Sequence, residues 1–306
     1  MQMLQENEIL LKCRNLTLKR KGFTLDSVDF ELPKGYILGI MGRNGVGKST
    51  LVQALLGICQ KEEQERIFFQ GTPIKDIVSY KKNLAFVLNE NPFPEKLNSL
   101  DCGVLYQEYY DNFDQSGYLQ RLKAFEVPER VCIKKLSKGQ KIRQQLAFAL
   151  SHDACLYIFD EPTGNLDREF RERFWEEVQK LTRDGEKSVI YVSHLVEELE
   201  RMADYLLWIW EKDGEGEEKG AAQKYFGTTE RLLERFQLIQ ASGEEAEVLP
   251  EGSVAGIRDR EYAKEFLAYA RREELPENLR EVSRYPTLKE IMYYVEKSGF
   301  ADLDGK

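Results

Sequence analysis

The chain has 306 residues, of which 42% are hydrophobic and 32% charged, so it can bury one large core or two modest ones. Its 44 Lys and Arg residues against 53 Asp and Glu residues give a net charge of −9, which argues against a dedicated nucleic-acid binder because such proteins need a basic face. The apolar run from Tyr205 to Trp210 is far shorter than the roughly 20 residues that span a bilayer, so we expect no membrane-spanning segment.

The first half of the chain shows the pattern of a sheet with helices packed on it. Short alternating stretches between Ile9 and Phe30, split by a turn at Lys21 and Gly22, predict antiparallel strands. Three continuous apolar runs are typical of strands buried on both faces: 36–41, 156–159 and 189–192. A helical pattern follows the first run and another separates the last two, which predicts an α/β core with a largely parallel sheet.

Two further regions depart from this alternation. The sequence between these strands is polar and aromatic, and its pattern predicts helices at 101–110 and 116–125. It indicates a helical insert over about residues 90–150. A charged, glycine-rich stretch at 211–220 marks a loop or hairpin tip. Beyond it, the pattern predicts three elements: a helix at 230–240, a strand at 247–257 and a helix at 261–272. We therefore predict one domain over residues 1–226 and a small α+β accessory domain over residues 227–306.

The cysteines and the N-terminus bear on the compartment. The five cysteines are widely spaced and form no CxxC pair, which predicts thiols that pack as small hydrophobic side chains. The first eight residues are polar and acidic, which predicts no signal peptide and a cytoplasmic location.

Residues 42–49 fit the pattern G-x-x-x-x-G-K-[ST], after a predicted buried strand and at the start of a helix. Glycines let backbone N–H groups turn towards phosphates, Lys48 reaches the β- and γ-phosphates, and Ser49 can ligate Mg²⁺. The alternative is a chance match in a glycine-containing turn, which the flanking strand and helix disfavour. This loop predicts nucleotide phosphate binding.

The apolar strand at 156–159 ends in two consecutive carboxylates. Asp160 at the strand end can hold Mg²⁺, and Glu161 can polarise an attacking water. Alone, the pair would be interpreted as solvated charges at the end of a strand. Together with the glycine-rich loop, it favours a hydrolytic site.

A second phosphate-binding helix end is predicted at residues 136–140, Leu-Ser-Lys-Gly-Gln, ahead of a helix that runs to Leu150. Ser137 is a good N-cap, and its hydroxyl with the Gly139 amide would form an anion site at the helix N-terminus. One phosphate group needs only one such end. The second therefore suggests that the γ-phosphate is contacted from a partner molecule.

The chain has only two histidines, so a His-rich metal site is excluded and a catalytic histidine must be one of them. His194 follows a buried strand that comes next in the chain after the strand of Asp160. There it could contact a γ-phosphate. The alternative is a core histidine that caps the strand.

These segments together resemble the nucleotide-binding subunits of ABC transporters. In the family's terms, residues 42–49 match Walker A, 136–140 the signature, 156–161 Walker B with its catalytic glutamate, 165–167 the D-loop, and His194 the switch histidine. The motifs stand in the family's order over roughly residues 8–226. The resemblance implies a P-loop NTPase cassette with a mostly parallel sheet, an antiparallel β subdomain and a helical insert. It also implies a head-to-tail homodimer or heterodimer that holds ATP and Mg²⁺ between Walker A of one subunit and the signature of the other.

Residue roles follow from the resemblance position by position. It implies catalysis by Glu161 and His194. It implies Mg²⁺ binding by Ser49, Asn89 and Asp160. It implies nucleotide contacts from Gly42, Asn44, Gly45, Gly47, Lys48, Ser49, Thr50, Ser137, Gly139, Gln140 and Asp167.

Three positions depart from the family pattern. Lys138 stands in the signature where glycine is usual, as in exporter subunits of the lantibiotic and bacitracin-resistance type, so we expect activity to survive. Asn89 stands where the Q-loop usually has Gln, and its shorter side chain changes the coupling geometry. The aromatic residue that stacks on adenine is expected near 20–23, where Arg20 takes the likeliest position; Phe23 or an arginine stack could substitute, or Phe23 could belong to the core.

Residues 285–292 are similar to the P-T-L-E-D-I ending of ATPase subunits in type-2 exporters for peptide antibiotics and drugs. The alternative is an ordinary amphipathic helix after an N-terminal proline.

The resemblance implies an ATPase subunit that powers a membrane exporter through a separate permease, on the inner face of the membrane, without nucleic acid. Two alternatives stay open: a soluble ABC ATPase that acts on a ribosome or nucleic acid, and a nucleotide-regulated binding module with little turnover.

Overall fold

The computed structural model describes residues 8–212, 219–246, 248–250, 252–260, 263–300 and 303. The strands in this part of the chain are β1 Ile9–Arg20, β2 Phe23–Pro33, β3 Ile37–Met41, β4 Ile67–Phe69, β5 Thr72–Pro73, β6 Leu84–Val87, β7 Leu156–Asp160, β8 Ser188–Val192, β9 Tyr205–Lys212, β10 Lys219–Thr228, β11 Phe236–Ala241, β12 Val254–Asp259, β13 Lys264–Tyr269 and β14 Ser283–Arg284. The α-helices are α1 Lys48–Leu55, α2 Lys61–Gln64, α3 Ile77–Lys82, α4 Ser99–Tyr106, α5 Gln115–Ala124, α6 Lys138–Ala149, α7 Arg168–Thr182, α8 Val196–Met202, α9 Thr229–Glu234, α10 Gly243–Ala246, α11 Glu277–Glu281 and α12 Leu288–Ser298.

A ten-stranded mixed sheet forms the larger layer, in the order β5-β4-β1-β2-β10-β9-β3-β8-β7-β6. Strands β9, β3, β8, β7 and β6 run parallel to one another. Strands β5, β4, β1 and β2 form an antiparallel extension at the other side, and the antiparallel β9–β10 pair connects the two parts. The predicted α/β class, with a parallel core and an antiparallel β subdomain, is confirmed.

The parallel strands are mostly apolar because they are covered on both faces. Every residue of β3 and β8 is buried. Gly39 in β3 shows how closely helix α8 approaches, since a Cβ built on it would lie 2.8 Å from the Cβ of Ala203. The ends of β3, β7 and β8 are thereby fixed relative to one another, and these ends carry the predicted site residues.

The helical segment between β6 and β7 contains α4, α5 and α6. Asn98 and Asp114 cap α4 and α5 by accepting from backbone N–H groups of Asp101 and Gly117. An aromatic cluster around Phe148 holds the segment together, with Phe93, Tyr106, Tyr110, Phe113 and Tyr118 as ring neighbours. Helices are present at both predicted places, although α4 ends at Tyr106 and continues only as a 3-10 turn.

The second sheet has four strands in the order β12-β13-β11-β14. Two sequence predictions were wrong here. The predicted helix at 230–240 ends at Glu234 and is followed by β11, and the predicted helix at 261–272 contains β13, with residues 261–262 outside the described part of the chain. Both strands carry runs of buried apolar residues in the middle of the sheet, and such runs do not distinguish a buried strand from a buried helix by periodicity.

The remaining boundaries are placed as follows. The predicted strand at 247–257 overlaps β12, which begins at Val254; residues 247 and 251 lie outside the described part. The charged stretch predicted as a hairpin tip lies between β9 and β10, which pair antiparallel; its residues 213–218 are not described. The boundary at residue 226 falls inside β10 and stays a prediction. No helix in the described ranges is both long enough and apolar enough to cross a membrane.

Helix α12 joins the small sheet to the core. Thr287 caps it by accepting from the backbone N–H of Glu290, whose carboxylate accepts in turn from the Thr287 N–H. Arg284 binds the same carboxylate and, as the largest cause, lowers the pKa of Glu290 to about 2. At its N-terminus α12 contacts α8: the Leu288 N–H donates to Glu200 at 2.8 Å, and Lys289 pairs with Glu197 at 2.6 Å. Residues 287–298 thus form a capped helix that packs on α8.

Candidate active site

The glycine-rich loop connects the end of β3 to α1, as the sequence predicts. Gly42 and Gly47 have positive φ angles of 148° and 102°. A Cβ on Gly42 would lie 2.4 Å from the carbonyl oxygen of Ile209, and one on Gly47 would lie 2.6 Å from the ring of Phe23. Only glycine fits at either position, so these two residues let the loop fold tightly between β3 and α1.

The Lys48 side chain lies back over the loop that precedes it. Its Nζ donates to the carbonyl oxygens of Gly42 and Arg43 at 2.7 and 3.1 Å. Burial lowers the pKa of Lys48, while the charges of Glu161 and Asp160 oppose that shift. The structure therefore holds a buried cation at the floor of the loop, where a phosphate group would supply its counter-charge.

An open cavity of about 500 Å³ lies above the loop. The residues that line it are Asn44, Gly45, Gly47, Lys48, Ser49, Thr50, Asn89, Asp160, Glu161, Gly164, Asn165 and His194. The sequence predicted ten of these twelve as site residues. The structure adds Gly164 and Asn165, which follow Walker B and belong to the loop that leads into α7.

The two Walker B carboxylates end β7 in different surroundings. Burial and the neighbouring charge of Glu161 raise the pKa of Asp160 to about 6, against the opposing effect of Lys48. Glu161 adopts a left-handed backbone with φ of 52°, which is uncommon for a residue other than glycine. Its N–H donates to the Val192 carbonyl oxygen at 2.9 Å, and its Oε2 hydrogen-bonds to Nδ1 of His194. The turn at Glu161 thus directs its carboxylate to the histidine at the end of β8.

The cavity offers oxygen ligands of the kind that Mg²⁺ prefers. The Ser49 hydroxyl, the Asn89 amide and the Asp160 carboxylate all line it. No cluster of three or more His, Cys, Asp or Glu side chains suited to a metal occurs among the described residues. A Mg²⁺ ion bound here would take its other ligands from phosphate and water. Burial first, and then the charge of Glu161, raises the pKa of Asp160, and a bound cation would favour the charged carboxylate. The residues therefore fit Mg²⁺.

Gln145, which the sequence did not single out, fixes the segment that carries Asn89. Its Oε1 accepts from the N–H of Leu88 at 2.8 Å, and its Nε2 donates to the Leu88 carbonyl oxygen at 3.1 Å. Gln145 is buried on α6. The local sequence gives no signal for this contact, since the partner of Gln145 lies 57 residues away.

Five predicted site residues do not line this cavity: Gly42, which belongs to the loop beneath it, and four residues of the signature and the D-loop. Ser137 caps α6 by accepting from the Gln140 N–H at 3.1 Å, and Oε1 of Gln140 accepts from the Ser137 N–H at 3.0 Å. Gly139 lies against the loop after Walker B, since a Cβ on it would lie 2.8 Å from the Asn165 carbonyl oxygen. Asp167 caps α7 and pairs with Arg143. The pKa of Asp167 is lowered, and the largest cause is the hydrogen bond from the Phe170 N–H. Within one chain, the signature therefore lies outside the cavity that Lys48 lines, which we name the Lys48 cavity.

The two candidates for adenine stacking are both engaged elsewhere. The Arg20 guanidinium binds the buried Glu63 carboxylate through two contacts of 2.8 and 3.3 Å. The Phe23 ring is half-buried and lies against Gly47. Neither residue lines the cavity, although Phe23 borders the loop.

Comparisons with known proteins agree with this geometry. Residues 25–164 match the family described as ABC transporter. The chain is 28% identical over 180 residues to the ABC transporter ATP-binding protein YtrB of Bacillus subtilis, with 59% of this chain and 61% of that protein covered. It is 29% identical over 194 residues to the ribose import ATP-binding protein RbsA of Caldanaerobacter subterraneus, with 59% and 38% covered. A solved dimeric ATP-binding cassette in a post-hydrolysis state with ADP and Pi has a TM-score of 0.60 at 19% identity, covering 72% of this chain and 99% of that chain.

The chain thus spans less than two thirds of the length of both named relatives. The structural likeness shows the fold. The matched region includes the glycine-rich loop, the signature and both Walker B carboxylates. Over residues 25–164 the chain therefore matches the ABC transporter family model, and its fold is that of an ATP-binding cassette.

Proposed function

We propose that this chain binds and hydrolyses ATP in a head-to-tail dimer and that hydrolysis powers a membrane exporter through a separate permease subunit. The observation that carries the proposal is the cavity in which Lys48, Asp160, Glu161 and His194 meet. A phosphate-binding cation, a metal-binding carboxylate and a candidate base lie around one space, which is the arrangement that phosphoryl transfer to water requires.

Each residue has a distinct proposed role. The backbone N–H groups of the loop and Lys48 bind the phosphates of ATP. Ser49, Asn89 and Asp160 hold Mg²⁺, which when bound neutralises charge on the phosphate oxygens. Glu161 orients the attacking water and accepts its proton, and His194 holds Glu161 while contacting the γ-phosphate.

The position of the signature supports the proposed dimer. Ser137 and Gly139 stand at the N-terminus of α6, a helix of twelve residues, but outside the Lys48 cavity of their own chain. Helix N-termini attract anions. A second cassette, identical or related, would bring this end to the γ-phosphate bound by the first, so each ATP would be enclosed by two subunits.

The helical insert offers the surface for the permease. Val104 is 56% exposed on α4, and Tyr109 just beyond it is 64% exposed. Leu105 is also exposed between them. We name Val104, Leu105 and Tyr109 the insert patch. Exposed apolar residues that lie together mark interaction sites, and an ATPase held there on a permease would sit at the inner face of the membrane.

The direction of transport rests on two sequence features. Lys138 in the signature and the motif at 286–291 both resemble exporter subunits. The matched relatives include a ribose import protein, so the cassette alone does not set the direction. The transported substrate would be selected by the permease.

Val104→Asp should abolish binding of the permease and leave ATP binding intact, because it places a charge in the insert patch and outside the Lys48 cavity. Val282→Asp is the matched control, since Val282 is 48% exposed on the small domain. The test is isolation of the tagged chain from detergent-solubilised membranes, with the bound proteins identified by mass spectrometry. We expect a protein with several membrane spans to accompany the unaltered chain and Val282→Asp, but not Val104→Asp. Ribosomal proteins or DNA in its place would overturn the exporter proposal.

A further inference from the structure

A buried carboxylate, that of Glu198, lies behind Glu161 and His194, which we name the catalytic pair. It belongs to none of the sequence motifs and has no role in the proposed mechanism. Glu198 is on α8 and is 4% exposed. Three hydroxyl groups donate to it: Thr163 Oγ1 at 2.9 and 2.8 Å to its two oxygens, Tyr191 OH at 2.7 Å, and Ser193 Oγ at 3.1 Å. Within the described ranges, no Lys, Arg or His side chain forms an ion pair with it.

The three donors belong to the two segments that carry the catalytic pair. Thr163 lies two residues after Glu161, in the loop that also contributes Gly164 to the cavity. Ser193 directly precedes His194, and Tyr191 lies in β8. A single carboxylate therefore connects the Walker B loop to the end of β8.

Stability alone does not explain a carboxylate at this place. A buried charge without a cation is costly, and hydroxyl donors offset that cost only in part. Apolar side chains of similar volume often replace buried ionic groups at no loss of stability. An apolar residue could not accept hydrogen bonds from Thr163 and Ser193, and so could not hold their two segments at fixed distances from each other.

We propose that Glu198 is a positioning residue for ATP hydrolysis. By accepting from Thr163 and Ser193 at once, it sets the distance between the Glu161 turn and His194. This inference rests on the proposed roles of Glu161 and His194, through which Glu198 acts. A misplacement of about 1 Å in a catalytic group can cost roughly 100-fold in rate, so the effect should be large although Glu198 touches no substrate.

Glu198→Gln is the central variant. It keeps the volume but replaces the carboxylate with an amide, so the three hydroxyls are left with one neutral accepting oxygen and their hydrogen bonds weaken. We expect the kcat for ATP to fall by about tenfold or more, with the Kd for a fluorescent ATP analogue changing less than about twofold, because Lys48 and the glycine-rich loop are untouched. Glu197→Gln is the matched control: it is the neighbouring residue on α8, and its carboxylate binds Lys289 outside the site. It should leave kcat unchanged.

Two milder variants separate positioning from folding. Thr163→Val removes the donor on the Glu161 side, and Ser193→Ala removes the donor on the His194 side. Each should lower kcat with little change in melting temperature. Adding Glu198→Gln to either should lower kcat by less than the product of the separate effects, because the residues act as one unit.

The outcomes distinguish this inference from the proposed function. If Glu161→Gln abolishes turnover while Glu198→Gln and both hydroxyl variants retain the kcat of the unaltered chain, the positioning role is wrong and the proposed function stands. If Glu161→Gln retains full turnover, the proposed function itself fails. If all three variants lose turnover only in proportion to the fraction unfolded, Glu198 is structural and the inference is overturned.

Discussion

Lys48→Ala is expected to weaken ATP binding by about 100-fold, which corresponds to about 3 kcal/mol. The Lys48 ammonium is buried at the floor of the glycine-rich loop, where it donates to two carbonyl oxygens at 2.7 and 3.1 Å. Phosphate oxygens are charged acceptors and bind an ammonium more strongly than carbonyls do. Alanine removes that interaction and leaves the phosphates to the backbone N–H groups alone.

Isothermal titration calorimetry with ATP and Mg²⁺ measures this loss. Lys21→Ala provides the control, because Lys21 is exposed in the turn between β1 and β2. The Lys48 variant should fold normally, since alanine removes a cation whose burial is unfavourable, as its lowered pKa indicates. Unchanged ATP affinity in a folded Lys48→Ala protein would mean that nucleotide phosphates do not bind in this loop.

Glu161→Gln is expected to lower kcat for ATP by about 100-fold or more, the usual contribution of a positioned general base. Glutamine has the same size and can still accept a hydrogen bond from His194 Nδ1, so the turn at the end of β7 should persist. It cannot take a proton from water. ATP affinity should hold or rise, because one of two adjacent negative charges at the cavity is gone.

Release of inorganic phosphate at saturating ATP measures this effect. Glu169→Gln is the matched control, since Glu169 lies in the first turn of α7 and is exposed. If Glu161→Gln turned over ATP at the rate of the unaltered chain, the base would have to be another residue.

The sequence could predict the parts of the site that depend on local order. The glycine-rich loop needs glycine at 42 and 47 because other atoms lie within 2.4 and 2.6 Å of where a Cβ would be, and that need is visible in a short motif. Asp160 and Glu161 end a strand whose apolar run is equally visible. Parallel strands place their ends at one edge of the sheet, so motifs far apart in the chain could be expected to meet.

What the sequence could not predict depends on contacts between distant segments. Gln145 binds the backbone of Leu88, and Glu198 binds Thr163, yet neither pair has a signal in its local pattern. Strands β11 and β13 were mistaken for helices because an apolar run that is buried on both faces has no visible period. Asp167 matches the D-loop, but only the structure shows that it caps α7 and pairs with Arg143.

If each ATP site is built from two subunits, mixing two inactive variants should restore one working site. Glu161→Gln lacks the base. Ser137→Asp keeps an N-cap on α6 but places a negative charge where the partner's γ-phosphate would lie. A mixed dimer has one site in which the intact Glu161 of one chain faces the intact Ser137 of the other.

The measurement is phosphate release by mixed dimers isolated through two different tags, compared with each variant alone. The proposed dimer predicts that both variants alone are nearly inactive and that the mixed dimer regains turnover well above either. Mixed dimers that remain as inactive as the separate variants would contradict it, since the site would then not be shared between subunits.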